Sequence, residues 1–424
     1  MRSTRAGTGG AFSGPVRHVY VHVPFCSAKC DYCDFASSAV GPMGRVVRYG
    51  RADAGASRCF RAYVDGVAAE WERERGAYGV RRVHTLYLGG GTPSLLGPDL
   101  LERLLEPFRP YLTPAAEVTV EVNPEDVDCR FAEWAADWSH RSARREGGAS
   151  RGLRVSLGVQ SFAAERRRAL GRRSQADPVG AVACLRAAGV ANLSLDMMYG
   201  LPGQTGADLE ADIAAVLAQR PEHISWYELM VVAGTPLARR LAGDGSSARR
   251  ATRSETSTSL VATPDGEARA AMYRRLVRAL GRAGYDWYEV SNYALPGRRA
   301  RHNVAYWRAR PYLGLGPGAV STVGRRRWTN TTDVSAWQAA LAAGAPPACA
   351  SERLDARSAA RERLMLAARC GLAVPLVELG DAVDDGAVAT LAGGGLVKVR
   401  DGTIRVTRKG RYVADEVCVR LFRA

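Results

Sequence analysis

The sequence predicts an α/β fold: a partial (β/α)6 barrel followed by a C-terminal α+β, winged-helix-like module. Three observations carry this. Six short runs rich in Val, Leu, Tyr and Thr alternate with helix-type runs through the first half of the chain. Alternation of that kind builds parallel strands joined by right-handed crossovers. Near the other end, two strand-type runs flank the turn pair Asp401-Gly402, and a last helical run follows.

The six strands are expected over His18–Val23, 84–88, 117–122, 153–158, 192–198 and 224–229. The first helix, over 60–75, places Tyr63, Val67 and Trp71 on one face. A second, over 99–108, gathers Leu101, Leu104, Leu105 and Phe108. The stretch 178–188 opens with a proline in its first turn and closes near Gly189. A fourth helix, over 208–218, follows Gly206. A fifth, over 267–282, sets Met272, Leu276 and Leu280 in register. Three stretches rich in Gly, Ser and Arg, 37–57, 139–150 and 243–265, read as surface loops. Strands over 396–400 and 403–406 and a helix over 411–421 complete the terminal module.

This divides the chain into five parts. An N-terminal tail covers 1–16, the barrel 17–240 and a loop 241–265. A barrel extension runs over 266–345, and the winged-helix-like domain over 346–424. The tail has no apolar core, so no secretion signal is expected, and no apolar run is long enough to span a bilayer. The expected location is the cytoplasm. A formal net charge of +16 invites a polyanionic partner, yet lysine occurs only at Lys29, Lys398 and Lys409. Nearly all the positive charge is arginine, much of it in the loop-like stretches. That pattern favours compositional bias over nucleic-acid binding, and no nucleic-acid partner is expected. Anionic lipid stays open as a contact.

Of nine cysteines, six are scattered singly, which is no disulfide framework. The other three, Cys26, Cys30 and Cys33, follow the first strand in the run HVPFCSAKCDYCDF. Three closely spaced thiolates can wrap one face of a [4Fe–4S] cubane and leave its fourth iron without a protein ligand. A tetrahedral zinc site with His22 or Asp34 as fourth ligand is the alternative these residues allow.

Barrel chemistry gathers at C-terminal strand ends. The second strand runs into Gly89-Gly90-Gly91-Thr92, whose glycines let backbone amides approach a ligand. The third ends at Glu121, the fourth at Gln160, and the fifth holds Asp196. Arg172 could pair with a carboxylate.

The cysteine run resembles the signature of the radical SAM superfamily. That resemblance implies that the open iron chelates the amino and carboxylate groups of S-adenosylmethionine. It places Tyr32 by the adenine and adds Tyr20, Phe35, Gly90, Gly91, Thr92, Glu121, Gln160, Arg172 and Asp196 to the S-adenosylmethionine site. Together, HVPFC, GGGTPS, EVNPE, SLGVQSF and DMMYGLPGQT resemble the oxygen-independent coproporphyrinogen III oxidase family. One branch of that family decarboxylates porphyrinogen propionates, and another is a haem chaperone.

Three features point to the chaperone branch. Phe35 stands where the decarboxylase has a fourth cysteine, and fewer than twenty residues precede the first strand. The run Arg301-His302-Asn303-Val304-Ala305-Tyr306-Trp307 is similar to that branch's HNxxYW motif. The resemblance implies haem binding at His302. By their chemistry, Tyr306 and Trp307 could offer a porphyrin flat apolar surface, and Arg298, Arg299 and Arg301 could meet its propionates. A histidine hydrogen-bonded in a turn before an aromatic core residue is the alternative these residues allow. Ser174 departs from the family, which often has a histidine there. The expected cofactors are a [4Fe–4S] cluster, S-adenosylmethionine and haem. The expected partners are haem and acceptor haemoproteins, with transient contact at the inner membrane face and a homodimer also in view. Coproporphyrinogen III oxidase is the alternative function.

Overall fold

The computed structural model describes residues 11–39, 54–145, 152–172, 174–242 and 262–422. Six parallel strands follow one another in sequence order: β1 (His18–Val23), β2 (Val83–Gly90), β3 (Leu112–Val122), β4 (Leu153–Gln160), β5 (Leu193–Tyr199) and β6 (His223–Glu228). Crossovers carry α1 (Ala54–Ala77), α2 (Gly97–Leu105), α3 (Cys129–Arg145), α4 (Ala164–Ala169), α5 (Pro178–Ala187) and α6 (Gly206–Gln219). Short α7 (Pro236–Leu241) and long α8 (Gly266–Arg282) come after β6.

Alternation along the strands separates two environments. Val19, Val21 and Val23 of β1, Leu86 and Leu88 of β2, and Val118, Val120 and Val122 of β3 join the main apolar core. Tyr63, Val67 and Trp71 of α1 meet them there, as the helical spacing predicts. The intervening residues form the other strand face, and it is polar: His18, Tyr20 and His22 on β1, Thr85 and Tyr87 on β2, Glu117, Thr119 and Glu121 on β3. Polar side chains on this face need partners, and they find them across the strands.

The barrel expectation needs one addition. After β6 the chain forms an antiparallel edge, β7 (Asp286–Glu289) and β8 (Asn292–Ala294), then α9 (Arg301–Trp307). It returns to the far side of β1 as β9 (Tyr312–Leu315), which pairs in parallel with β1. Antiparallel β10 (Val320–Val323), β11 (Arg326–Asn330) and β12 (Ala348–Arg353) extend that edge, with α10 (Val334–Ala342) between the last two. The sheet thus has seven parallel strands among twelve.

Two sequence boundaries are corrected. Strand β12 belongs to the large sheet, so the terminal module starts after it and not at 346. Its run ACASER is mostly exposed and has no apolar alternation to announce it. The loop expected over 139–150 begins as helix, because α3 continues to Arg145, and Ser139 bonds the carbonyl of Ala135. Most of the loop expected over 37–57, and of 243–265, lies outside the described residues.

The terminal module has its own core, including Leu364, Val374, Leu391, Ile404 and Leu421. Helix α11 (Ala356–Cys370) leads to β13 (Val374–Pro375), α12 (Leu376–Leu379) and α13 (Asp385–Gly393). The hairpin β14 (Val397–Arg400) and β15 (Thr403–Val406) follows, then α14 (Arg408–Arg411) and α15 (Ala414–Leu421). The single terminal helix expected from 411 is therefore two. Among the described residues no helix is long and apolar enough to cross a membrane.

At the N-terminal strand ends, Arg154 and Glu117 form an ion pair at 3.2 Å with side chains 2% and 1% exposed. The Glu117 carboxylate also accepts from the amides of Arg301 (2.9 Å) and His302 (3.0 Å), holding the first turn of α9 across the barrel floor. Removing one member of a buried pair strands the other charge. Glu117→Ala is expected to lower unfolding free energy by about 3–5 kcal/mol in denaturant titration. A loss under about 1 kcal/mol would show that this pair does not hold the floor.

Candidate functional site

The cysteine run leaves β1 on the opposite rim, where the C-terminal strand ends open. Several contacts fix it. The carbonyl of Ala36 is 2.9 Å from His22 Nε2. The amide of Asp31 donates to the Leu170 carbonyl at 3.0 Å, and the amide of Leu237 donates to the Asp31 carbonyl at 2.8 Å. Arg240 pairs with the Asp31 carboxylate. Within the loop, the amide of Cys33 donates to the Cys30 carbonyl at 3.1 Å. A segment without long regular structure is thus tied to β1, α4 and α7.

Cys26, Cys30 and Cys33 line one cavity of about 420 Å³. The same cavity takes in Tyr32, Phe35, Gly90, Gly91, Thr92, Glu121, Gln160, Arg172 and Asp196. Every rim residue proposed from the sequence is there except Tyr20. Tyr20 points along the inner strand face, its hydroxyl 3.0 Å from His22 Nδ1 and its ring beside Tyr87, and does not line the cavity. The strand period puts it on the right face but one position too deep.

The glycine run is a steric requirement. Gly90 has φ +107°, and a Cβ there would lie 2.6 Å from the His22 ring. A Cβ at Gly91 would collide with the Phe25 carbonyl oxygen. Gln160 is a non-glycine residue at φ 67°, beside a register shift between β4 and β5. Such strain persists where the surroundings over-determine it, often at ligand sites.

The electrostatics pair two acids with one base. Glu121 accepts from the Tyr87 hydroxyl (2.7 Å) and the Gly90 amide (3.1 Å). Burial first, and Asp196 second, push its carboxyl up to about 7. Asp196 is raised by burial against hydrogen bonds from serine hydroxyls, including Ser156 at 2.9 Å. Arg172 donates to Asn123 Oδ1 at 2.7 Å and to the Gly158 carbonyl. Burial works against its charge, but Tyr32, Cys30 and Glu125 more than offset that and raise its pKa. One enclosure therefore offers acids for a cationic group and a guanidinium for a carboxylate, as a zwitterion needs. Burial raises the thiols of Cys26 and Cys33.

Three thiols facing one cavity fit a cubane bound by three cysteines. No set of three His, Cys, Asp or Glu side chains among the described residues gathers as a single ion would require. A cubane, whose ligated irons sit at separate corners, does not ask for that. Sequence reasoning missed Tyr227 and Met230 on the rim and the role of Asn123 in holding Arg172. The strand-end rule, carried on to the sixth strand, would have found Tyr227.

His302 is elsewhere. It sits on the floor, 1% exposed, with Nδ1 2.8 Å from Thr85 Oγ1, and among the described residues Nε2 has no partner. Tyr306 is packed between His302 and Tyr312, with ring centroids 4.7 and 4.6 Å away, and the Arg369 guanidinium covers Trp307. The two aromatics expected to face a porphyrin are thus engaged by the protein itself. Arg299 and Arg301 line an open cavity beside α9, and Arg298 does not.

Residues 20–216 match the Radical SAM superfamily. The chain is 35% identical over 402 residues to the haem chaperone HemW of Mycobacterium tuberculosis H37Rv, covering 94% of this chain and 93% of that protein. It is 31% identical over 308 residues to HemW of Escherichia coli K12, covering 72% and 70%. Among solved structures it resembles the Escherichia coli coproporphyrinogen III oxidase HemN with a TM-score of 0.72. That likeness covers 96% of this chain and 89% of the other at 21% identity, a likeness of fold.

The raised Glu121 carboxyl makes a testable claim on the protein without bound metal or ligand. Its folded pKa lies above the unfolded value, so it disfavours folding progressively as pH rises from about 4.5 to about 7. Glu121→Gln carries no such penalty. The melting temperature of the variant minus that of the wild type is expected to become more positive by a few degrees between pH 5 and pH 8. A difference flat with pH would rule out a raised carboxyl.

Proposed function

The chain belongs to the HemW family within the radical SAM superfamily, and from that premise we propose that it binds haem and passes it to acceptor haemoproteins, supported by a [4Fe–4S] cluster and S-adenosylmethionine. The observation that carries this reading is the joining of a nearly full-length match to haem chaperones with a rim cavity holding three thiols, two acids and Arg172. Cys26, Cys30 and Cys33 would hold the cluster. When bound, it supplies one electron to the sulfonium of S-adenosylmethionine.

The chain's own residues do the positioning. Arg172, oriented by Asn123 and the Gly158 carbonyl, meets the methionine carboxylate. The amides released by the glycine run, together with Glu121 and Asp196, take the amino and ribose groups. Tyr32 and the apolar group of Leu170, Met198, Leu201, Leu229 and Leu237 beneath it give the adenine a dry wall. At the other end of the barrel, His302 serves haem binding from its place on the floor. Delivery to haem enzymes at the inner membrane face would draw on the arginine-rich surface, and a homodimer belongs to the same reading.

Anaerobic reconstitution of the wild type is expected to give about four irons per chain. Cys30→Ala should lose that loading and, with it, S-adenosylmethionine binding in equilibrium dialysis. Stoichiometric zinc in place of iron would sink the cluster assignment. His302→Ala should lower haem affinity in a Soret titration. Vinyl-group formation from coproporphyrinogen by the reconstituted protein would replace the chaperone reading with the oxidase.

A further inference from the structure

Another cavity, of about 780 Å³, lies beside α9 at the barrel floor, and none of the three clustered thiols lines it. That volume is in the range of cofactor sites. Leu295, Val304 and Ala305 give it an apolar wall. Four arginines stand around it. Arg299 pairs with Asp286, and Arg301 donates to the Ala115 carbonyl. Arg308 and Arg310 are exposed and have no carboxylate partner among the described residues. One imidazole, His18 on β1, lines the same space. An apolar wall, a neutral nitrogen ligand and unpaired guanidiniums are what a flat dianionic metalloporphyrin requires.

We propose that haem docks in this floor cavity with its iron on Nε2 of His18 and its propionates on Arg308 and Arg310, and that His302 positions His18 through Thr85. This rests on the haem-binding reading above. The link is a shared hydroxyl. Thr85 Oγ1 lies 2.9 Å from His18 Nδ1 and 2.8 Å from His302 Nδ1. A hydroxyl has one proton, so it donates to one ring and accepts from the other. One ring then carries Nδ1–H and a bare Nε2, while the other carries the reverse tautomer.

Iron on His18 Nε2 selects the first state for His18 and turns the Thr85 hydroxyl toward His302. A hydrogen bond from the distal ring nitrogen is the usual support of a metal-bound histidine. His302 is enclosed and does not line this space, so it acts on the iron only through Thr85. Burial first, then His84, Arg301, Arg310 and Arg17, lower the His18 pKa to about 4, which keeps its ring neutral near pH 7.

The test is haemin titration of the full chain, read by Soret absorbance and by the iron–histidine vibration of the ferrous form. His18→Ala and the milder His18→Gln are both expected to weaken binding by at least about tenfold and to lose the imidazole signature. His302→Ala and Thr85→Val should keep that signature, shift its frequency and weaken binding less. Arg308→Ser with Arg310→Ser should weaken haemin binding but leave its dimethyl ester, which lacks the charged propionates, unaffected. Wild-type affinity and spectrum in both His18 variants would overturn the site while leaving the chaperone reading intact. Loss of the imidazole signature in His302→Ala alone would move the iron to His302. A wild type that takes up no haemin would remove the chaperone reading and this site together.

Discussion

A carboxylate buried at the closed end of the barrel sets the course of the second half of the chain. Glu117 is held by Arg154 and by the amides that begin α9. A charge this deep is tolerable only when its lone pairs are filled, and here backbone donors fill them. With α9 held across the floor, the chain reaches the free edge of β1, where Tyr312–Leu315 pairs as a parallel strand. That pairing then reaches toward the rim. Gly316, just after β9, lies against the His22 carbonyl, which also accepts from the Tyr63 hydroxyl at 2.8 Å. His22 in turn holds Ala36, three residues past the last clustered thiol. The cysteine loop is braced by a path that begins at the far end.

The polar lining explains why the two ends differ. A parallel barrel offers strand C-termini on one rim and N-termini on the other. On the open rim the polar groups face a cavity, and several are left with ligand-facing capacity. Arg172 there donates to an amide oxygen and a backbone carbonyl, and among the described residues it forms no ion pair. On the floor the same kinds of group are matched to each other: Arg154 to Glu117, and His223 to Ser194 at 2.8 Å and Tyr288 at 2.7 Å. The first arrangement leaves groups free to bind, and the second holds the strand ends together around the enclosed His302.

Much of this was legible in the sequence because period 2 and period 3.6 are local. The six strands and the helix faces of Tyr63, Val67 and Trp71 follow from spacing alone. The thiols and four strand-end groups, Gly90, Glu121, Gln160 and Asp196, follow from the barrel rule. What escaped depends on contacts distant in sequence. Strand β9 is four residues long and contains a glycine, so no window marks it. Tyr20 shares a face with His22, and only the third dimension says that neither lines the cavity. The HNxxYW run marks a conspicuous histidine, but its spacing carries no information that Thr85 and Glu117 would enclose it. The winged-helix boundary slipped because β12 is exposed along nearly its whole length.

The two ends of the barrel are not independent. The His302 ring lies 5.2 Å from the Tyr87 ring, and the Tyr87 hydroxyl donates to Glu121 on the rim. From His18 through Thr85, His302 and Tyr87 to Glu121, each step is a hydrogen bond or a ring contact. Only the first steps can carry a tautomer change, since Tyr87 meets His302 by its ring. Beyond that point any influence must pass as displacement. A rotation of Tyr87 would alter the hydrogen bond that offsets the burial of Glu121, and with it the charge facing the rim cavity. Coupling between rim and floor therefore requires Tyr87 to have two positions, which is a narrower condition than physical connection alone.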